Sequence, residues 1–167
     1  VNKENTYWPS HGKVMNKDHP RVSFAYPTFI RTGMIATGPF YPDIGWSVMS
    51  LPASMSFYVS VGLMLNSKRP YSFDIDVLFE GKSLIPKNIP AIDTQLLHTK
   101  VSERDDFVAL STTLLTDVQI QSDGLYTVRV YLFTGEVGST ERDLIDQYDC
   151  HFVLAKNWIE NQMTRNV

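Results

Sequence analysis

Two runs near the middle of the chain alternate between apolar and polar positions with period two. In "SFYVSVGLMLN" (56–66), Phe57, Val59, Val61, Leu63 and Leu65 share one face, while Tyr58, Ser60, Gly62, Met64 and Asn66 share the other. In "YSFDIDVLFEG" (71–81), Tyr71, Phe73, Ile75, Val77 and Phe79 lie on one side, opposite Ser72, Asp74, Asp76, Leu78 and Glu80. The intervening "SKRP" reads as a turn, because Pro70 has no ladder donor. The pair predicts an antiparallel hairpin with one core face and one mostly wet face.

Further along, "GKSLIPKNIPAIDTQLLHTKVSERD" (81–105) holds two prolines and reads as a loop, with Leu96 and Leu97 pinning it to the body. "FVALSTTLL" (107–115) is a strand that 116–124 carries to a corner, and "LYTVRVYLF" (125–133) follows, with Tyr126, Val128, Val130 and Leu132 facing the core. Residues 134–147 are a polar excursion with a helical turn at the acidic end. "YDCHFVLA" (148–155) is the last strand, placing Tyr148, Cys150, Phe152 and Leu154 on one face. In 156–167, Trp158, Ile159 and Met163 approach helical spacing and predict a short closing helix. Before residue 56, "RVSFAY" and "TFIRTGMIATG" each permit a strand, interrupted by Pro27. Residues 38–54, punctuated by Pro39, Pro42 and Pro52, read as an irregular connection or edge strand. The expected organisation is a single domain over 1–167: an arm (1–21), a β-sandwich (22–155) and a C-terminal helix or tail (156–167).

"QSDGLYTVRVYLF" (121–133) sets a turn residue, a glycine and a tyrosine directly before a strand. With the preceding "LLTDVQI", this segment resembles the E–F corner of immunoglobulin-like domains, through Leu115, Val118, Asp123, Gly124, Tyr126 and Val128. The resemblance implies an all-β, antiparallel immunoglobulin-like β-sandwich in which the tyrosine ring packs on the core and its hydroxyl satisfies a turning backbone. It departs from antibody-type domains in having Val128 where the second inter-sheet cysteine would fall. "FYVSVGLML" supplies no cysteine either. The likeness speaks to fold and not to ligands.

A chain of 167 residues buries enough surface to need neither metal nor disulfide. Net charge is −3, unevenly spread: residues 1–31 hold five basic and two acidic side chains, net +3, which leaves −6 on the remainder. The acidic body argues against nucleic acid, although the basic arm offers a weaker reading of that kind. One cysteine, Cys150, excludes an intrachain disulfide and tilts the expected compartment toward the cytoplasm. The polar opening residues do not read as a signal sequence, and no apolar run is long enough for a spanning helix, so a soluble protein without membrane contact is expected.

Chemistry-bearing patterns are scarce. His11, His19, His98 and His151 lack metal-ligand spacing, and Cys150-His151 in a strand point to opposite faces. No serine sits in a nucleophile elbow, and no glycine-rich phosphate loop occurs. The acidic groups Asp74/Asp76, Glu103/Asp105/Asp106 and Asp143/Asp146/Asp149 are of the kind any acidic surface carries. No catalytic, cofactor or metal residue is therefore assigned. What stands out is "GPFYPDIGW" (38–46), which concentrates Phe40, Tyr41 and Trp46 in an expected loop, with Tyr7 and Trp8 as a second aromatic pair in the arm. Rings of this kind either bind a partner or fold the loop onto the body, and exposure distinguishes the two.

These readings converge on a non-enzymatic protein-binding module of unknown partner, with Phe40, Tyr41, Trp46, Tyr7 and Trp8 as contacts. Homodimerisation or strand addition through an exposed sheet edge is a second mode. The alternative is a carbohydrate- or calcium-binding module, or a small hydrolase, built from loop aromatics and acidic clusters.

Overall fold

The computed structural model describes residues 20–66, 69–85 and 106–158 in full and the backbone of 92–100. Among these residues the chain is all-β, with nine strands in two sheets and no helix. The expected C-terminal helix falls mostly in 159–167, outside the described residues, and the strand before it runs to Lys156.

The strands are β1 (Arg21–Phe29), β2 (Gly45–Val48), β3 (Ala53–Asn66), β4 (Tyr71–Phe79), β5 (Lys82–Ser83), β6 (Ile92–Lys100), β7 (Asp106–Ile120), β8 (Gly124–Thr134) and β9 (Asp143–Lys156). One sheet has the order β1-β3-β7-β6 and the other β2-β9-β8-β4-β5. Every pairing is antiparallel except β2 with β9. The alternating positions of β3 (Phe57, Val59, Val61) face those of β8 (Tyr126, Val128, Val130, Leu132) and β9 (Phe152, Leu154) across one apolar core. The two sheets are thus layers that bury their patterned faces against each other.

The expected hairpin of 56–66 with 71–81 does not form. Both strands exist, but β3 lies between β1 and β7, while β4 lies between β8 and β5 in the other sheet. Period two specifies which face is buried, not which strand is the neighbour. The connection crosses between layers, and the Pro70 carbonyl accepts a hydrogen bond from Gly135 N (3.0 Å) at the end of β8. The 81–105 segment also differs from a loop, since it contains β5 and β6. A register shift between Asp93 and Gln95 and the adjacent Leu96-Leu97 pair break the alternation that would mark β6. Likewise the acidic end of 134–147 is the start of β9, not a helical turn. A shift between Leu132 and Phe133 against β9 disguises its period there.

Pro27 does not interrupt β1. It sits on an edge strand opposite Val59, and its missing N–H would have pointed away from β3. That edge is closed by side chains and loop backbone: Phe29 N donates to Asp43 Oδ2 (2.8 Å), the Pro27 carbonyl accepts from Asp43 N (2.9 Å), and Val22 N donates to Asp146 Oδ2 (2.8 Å). Two edge strands lack such cover among the described pairings: β6 bonds only to β7, and β2 only to β9.

The tyrosine corner takes the expected form. Tyr126 is fully buried, its ring stacks between Phe79 (centroids 4.6 Å apart) and Phe152 (5.5 Å), and its hydroxyl donates to the Ser122 carbonyl at 2.5 Å. Gly124 adopts φ 149°, and a Cβ there would lie 2.9 Å from the Phe79 ring, so both backbone and packing call for glycine. Asp123 Oδ1 accepts from Lys156 N at 2.7 Å, which ties the corner to the end of β9.

Removing the corner hydroxyl in Tyr126→Phe is expected to cost about 1 kcal/mol, because the Ser122 carbonyl loses its donor. Truncating the ring beside it in Phe152→Ala should cost about 3–5 kcal/mol. Urea unfolding of both variants measures the difference, and equal losses would refute this division of roles.

Candidate functional site: the loop between β1 and β2

Residues 30–44 carry the chain from one sheet to the other at the end of the molecule where β1 finishes. Two short turns shape the loop, closed by Met34 N to the Arg31 carbonyl (3.0 Å) and Gly38 N to the Ile35 carbonyl (3.1 Å). From Phe40 onward it runs along β1. Thr28 Oγ1 donates to the Tyr41 carbonyl (2.7 Å), Tyr26 Oη donates to the Phe40 carbonyl (3.3 Å), and Asp43 bonds the strand as described above. Arg31 forms a two-point pair with Asp43 through Nη2–Oδ1 (2.5 Å) and Nη1–Oδ2 (3.0 Å), and its guanidinium carbon lies 5.0 Å from the Trp46 ring centre. The carboxylate beside it holds the Arg31 pKa above its ordinary value. The charge in this loop is therefore internally matched.

The sequence-proposed aromatics take different places. Phe40 is half-buried, with its ring 4.7 Å from that of Tyr58. Trp46, on β2, is half-buried and stacks on Phe29 at 5.4 Å and 28°. Tyr41, between them, is 67% exposed. The structure thus brings Phe40 and Trp46 against the body and turns Tyr41 to solvent. Tyr7 and Trp8 lie outside the described residues. A groove of about 440 Å³ beside Tyr41 is walled by Thr28, Arg31, Ile35, Gly38 and Pro39.

The same end of the molecule displays apolar side chains that the sequence reading passed over. Ile35 is 62% exposed, Ile44 82% and Met49 92%. Their signal is faint: each belongs to a segment without periodicity, where an aliphatic residue carries no sign of which way it points. Trp158 is the one described residue at the core of the expected closing helix, whose remainder, with Ile159 and Met163, lies outside the described residues. Its ring covers Gly45, where a Cβ would come within 2.5 Å of it, and its backbone N donates to Ser47 Oγ (3.1 Å).

Asp74, Asp76, Asp146 and Asp149 hold separate partners, while Glu103 and Asp105 lie outside the described residues. Asp149 receives Arg129 Nε and Nη2, both at 2.7 Å. Asp146 accepts from the backbone of β1. Asp74 pairs with Arg142 (3.0 Å), and Asp76 accepts from Ser83 Oγ (2.7 Å). Among the described residues, no three histidine, cysteine or acidic side chains converge as metal ligands. Cys150 packs against the core opposite Val128, while His151 is exposed beside Thr127 Oγ1 (3.0 Å). Burial, with the Asp149 charge adding to it, pushes the Cys150 thiol up to about 11. Burial also raises Tyr126, while the Arg129 hydrogen bonds lower Asp149. Compared with known proteins, the chain matches no family model and no curated sequence.

Two outcomes follow for stability. Trp46→Ala is expected to cost about 3 kcal/mol, as for a large ring lost from packing. Tyr41→Ala is expected to cost less than about 0.5 kcal/mol, as for an exposed site. Thermal unfolding compares them, and a Tyr41→Ala loss as large as that of Trp46→Ala would place Tyr41 in the fold.

The pH dependence is signed by the shifts. Lowered Asp149 contributes stability above its ordinary value of 3.8, which is lost as pH falls through that value and below. Raised Cys150 contributes stability that is full below its ordinary 9.0 and lost as pH climbs toward 11. Urea midpoints across pH should fall at both ends, and Cys150→Ala should flatten the alkaline fall.

Proposed function

We propose that the protein is a non-enzymatic, immunoglobulin-like binding module, folded as one domain, whose partner is another protein contacted through the β1–β2 loop. The observation that carries the reading is the division of labour in "GPFYPDIGW". Phe40 and Trp46 pack against Tyr58 and Phe29, and this holds Tyr41 exposed in a fixed place. A tyrosine held this way brings a large amphipathic area to an interface at small entropic cost. Ile35 and Ile44 add apolar area around it, and the Arg31–Asp43 pair leaves the site without a net charge to be matched. Such a surface favours a neutral, partly apolar protein epitope over a phosphate or a polyanion. The Tyr126 corner supports the immunoglobulin-like assignment, and the lone cysteine supports a reducing compartment.

The test uses the purified protein as bait, with Tyr41→Ala and Tyr41→Phe alongside. A protein prey held by the wild type is expected to weaken at least tenfold with Tyr41→Ala, about 1.4 kcal/mol or more, and to persist with Tyr41→Phe. A prey held equally by all three would contradict the site.

A further inference from the structure

The second open edge, β2, has features that the other edges lack. Its pairing with β9 fixes which of its backbone groups are occupied. Val153 N donates to the Ile44 carbonyl (2.9 Å) and Asn157 N to the Val48 carbonyl (3.0 Å), so Ile44, Trp46 and Val48 present their backbone to β9. By the alternation of a strand, the N–H and C=O groups of Gly45 and Ser47 point the other way, to the edge. No second strand lies there among the described residues.

Exposed edges are ordinarily blunted by charge, proline or a covering loop. The β1 edge has Pro27, Asp43 and Asp146, and the two-residue β5 edge has Lys82. Along β2 and the chain after it, from Ile44 to Met55, there is no charged side chain. The strand is bracketed instead by two of the most exposed apolar residues, Ile44 at 82% and Met49 at 92%. Trp158 and Phe29 lie over the faces of the strand, and among the described residues no other strand pairs with its edge.

The geometry points to a second copy of this chain as the occupant, paired antiparallel along β2 so that the two five-stranded sheets become one. The strand is self-complementary in register. A two-fold axis at Trp46 sets Gly45 of each copy opposite Ser47 of the other, so both outward-pointing residues exchange N–H···O bonds in both copies. The same axis brings Ile44 opposite Val48, with Met49 one residue beyond. A chain of net charge −3 repels its own copy, and the uncharged strip is where two copies approach without like charges meeting. A four-residue edge is short beside the roughly 1,200–2,000 Å² of stable interfaces, so the dimer is weak and depends on concentration.

Sedimentation equilibrium over about two decades of concentration, up to about 1 mM, tests this for the wild type, Ile44→Lys, Met49→Lys and Tyr41→Ala. The wild type is expected to pass from monomer toward dimer. Each lysine variant should stay monomeric at every concentration, because both sites are solvent-exposed and a charge there leaves the fold intact, as near-ultraviolet circular dichroism will verify. In the wild type, amide exchange at Gly45 and Ser47 should slow as the dimer forms. Tyr41→Ala should dimerise normally, which separates this edge from the loop contact proposed above. A wild type that is monomeric throughout overturns the inference. So does a dimer that survives both lysine substitutions.

Discussion

The ring of Phe152 touches both layers of the protein at once, and the rest of the arrangement depends on that contact. From β9 it meets Tyr126 of β8 at 5.5 Å, and across the core it meets Phe57 of β3 at 5.7 Å and Phe29 of β1 at 5.4 Å. Phe79 extends this group at the tyrosine corner, and Trp46 extends it at the β1–β2 loop. Aromatic pairs at these separations contribute beyond their buried area, and their geometry is directional. The group therefore sets how the two sheets sit as well as holding them together. It also gives the loop a firm base, because Phe29 and Trp46 are at once core rings and the neighbours of Arg31 and Asp43.

The loop and the edges of the sheets are two sides of one constraint. A chain that crosses between layers leaves strands with unpaired backbone on the flanks, and this chain treats those flanks unequally. The loop that crosses from β1 to β2 folds back to close the β1 edge through Asp43, and in doing so delivers Tyr41 to solvent. The β2 edge that it leads into receives no such cover among the described residues. On the outer face of the β2-β9-β8-β4-β5 sheet, charges are matched locally, with Arg129 on Asp149 and Arg142 on Asp74. Tyr41, Ile44 and Met49 stand exposed along that loop and the adjoining edge.

Much of this was readable from residue order, and the rest has a physical reason for being hidden. The core-facing positions of β3, β4, β8 and β9 followed from alternation, and Tyr126 from the turn chemistry before it, because both signals are local. The expected wet face of β3 did not, since Tyr58 and Ser60 are buried as well as Phe57 and Val59. Sheet membership was not local. Nothing in residues 56–81 distinguishes a hairpin from a crossing between layers, since both bury the same face. β6 was concealed by its register shift and β9's start by another, each of which erases period two for a few positions. At the site, composition pointed to "GPFYPDIGW", but three aromatics in a row of nine residues carry no sign of which ring is an anchor. Only the partners Tyr58 and Phe29, distant in sequence, decide that Phe40 and Trp46 turn inward and Tyr41 outward. Ile44 and Met49 show the converse, since ordinary aliphatic residues become informative only when their exposure is seen.

The most direct measurement is a ring-to-ring nuclear Overhauser map of the protein in solution, with aromatic protons assigned for Phe29, Trp46, Phe57, Phe79, Tyr126 and Phe152. A base shared by core and loop requires an unbroken series of cross-peaks from Phe79 through Tyr126 and Phe152 to Phe29 and then Trp46, with none from Tyr41 to any of them. A break between Phe29 and Trp46, or cross-peaks that place Tyr41 within the series, would contradict it.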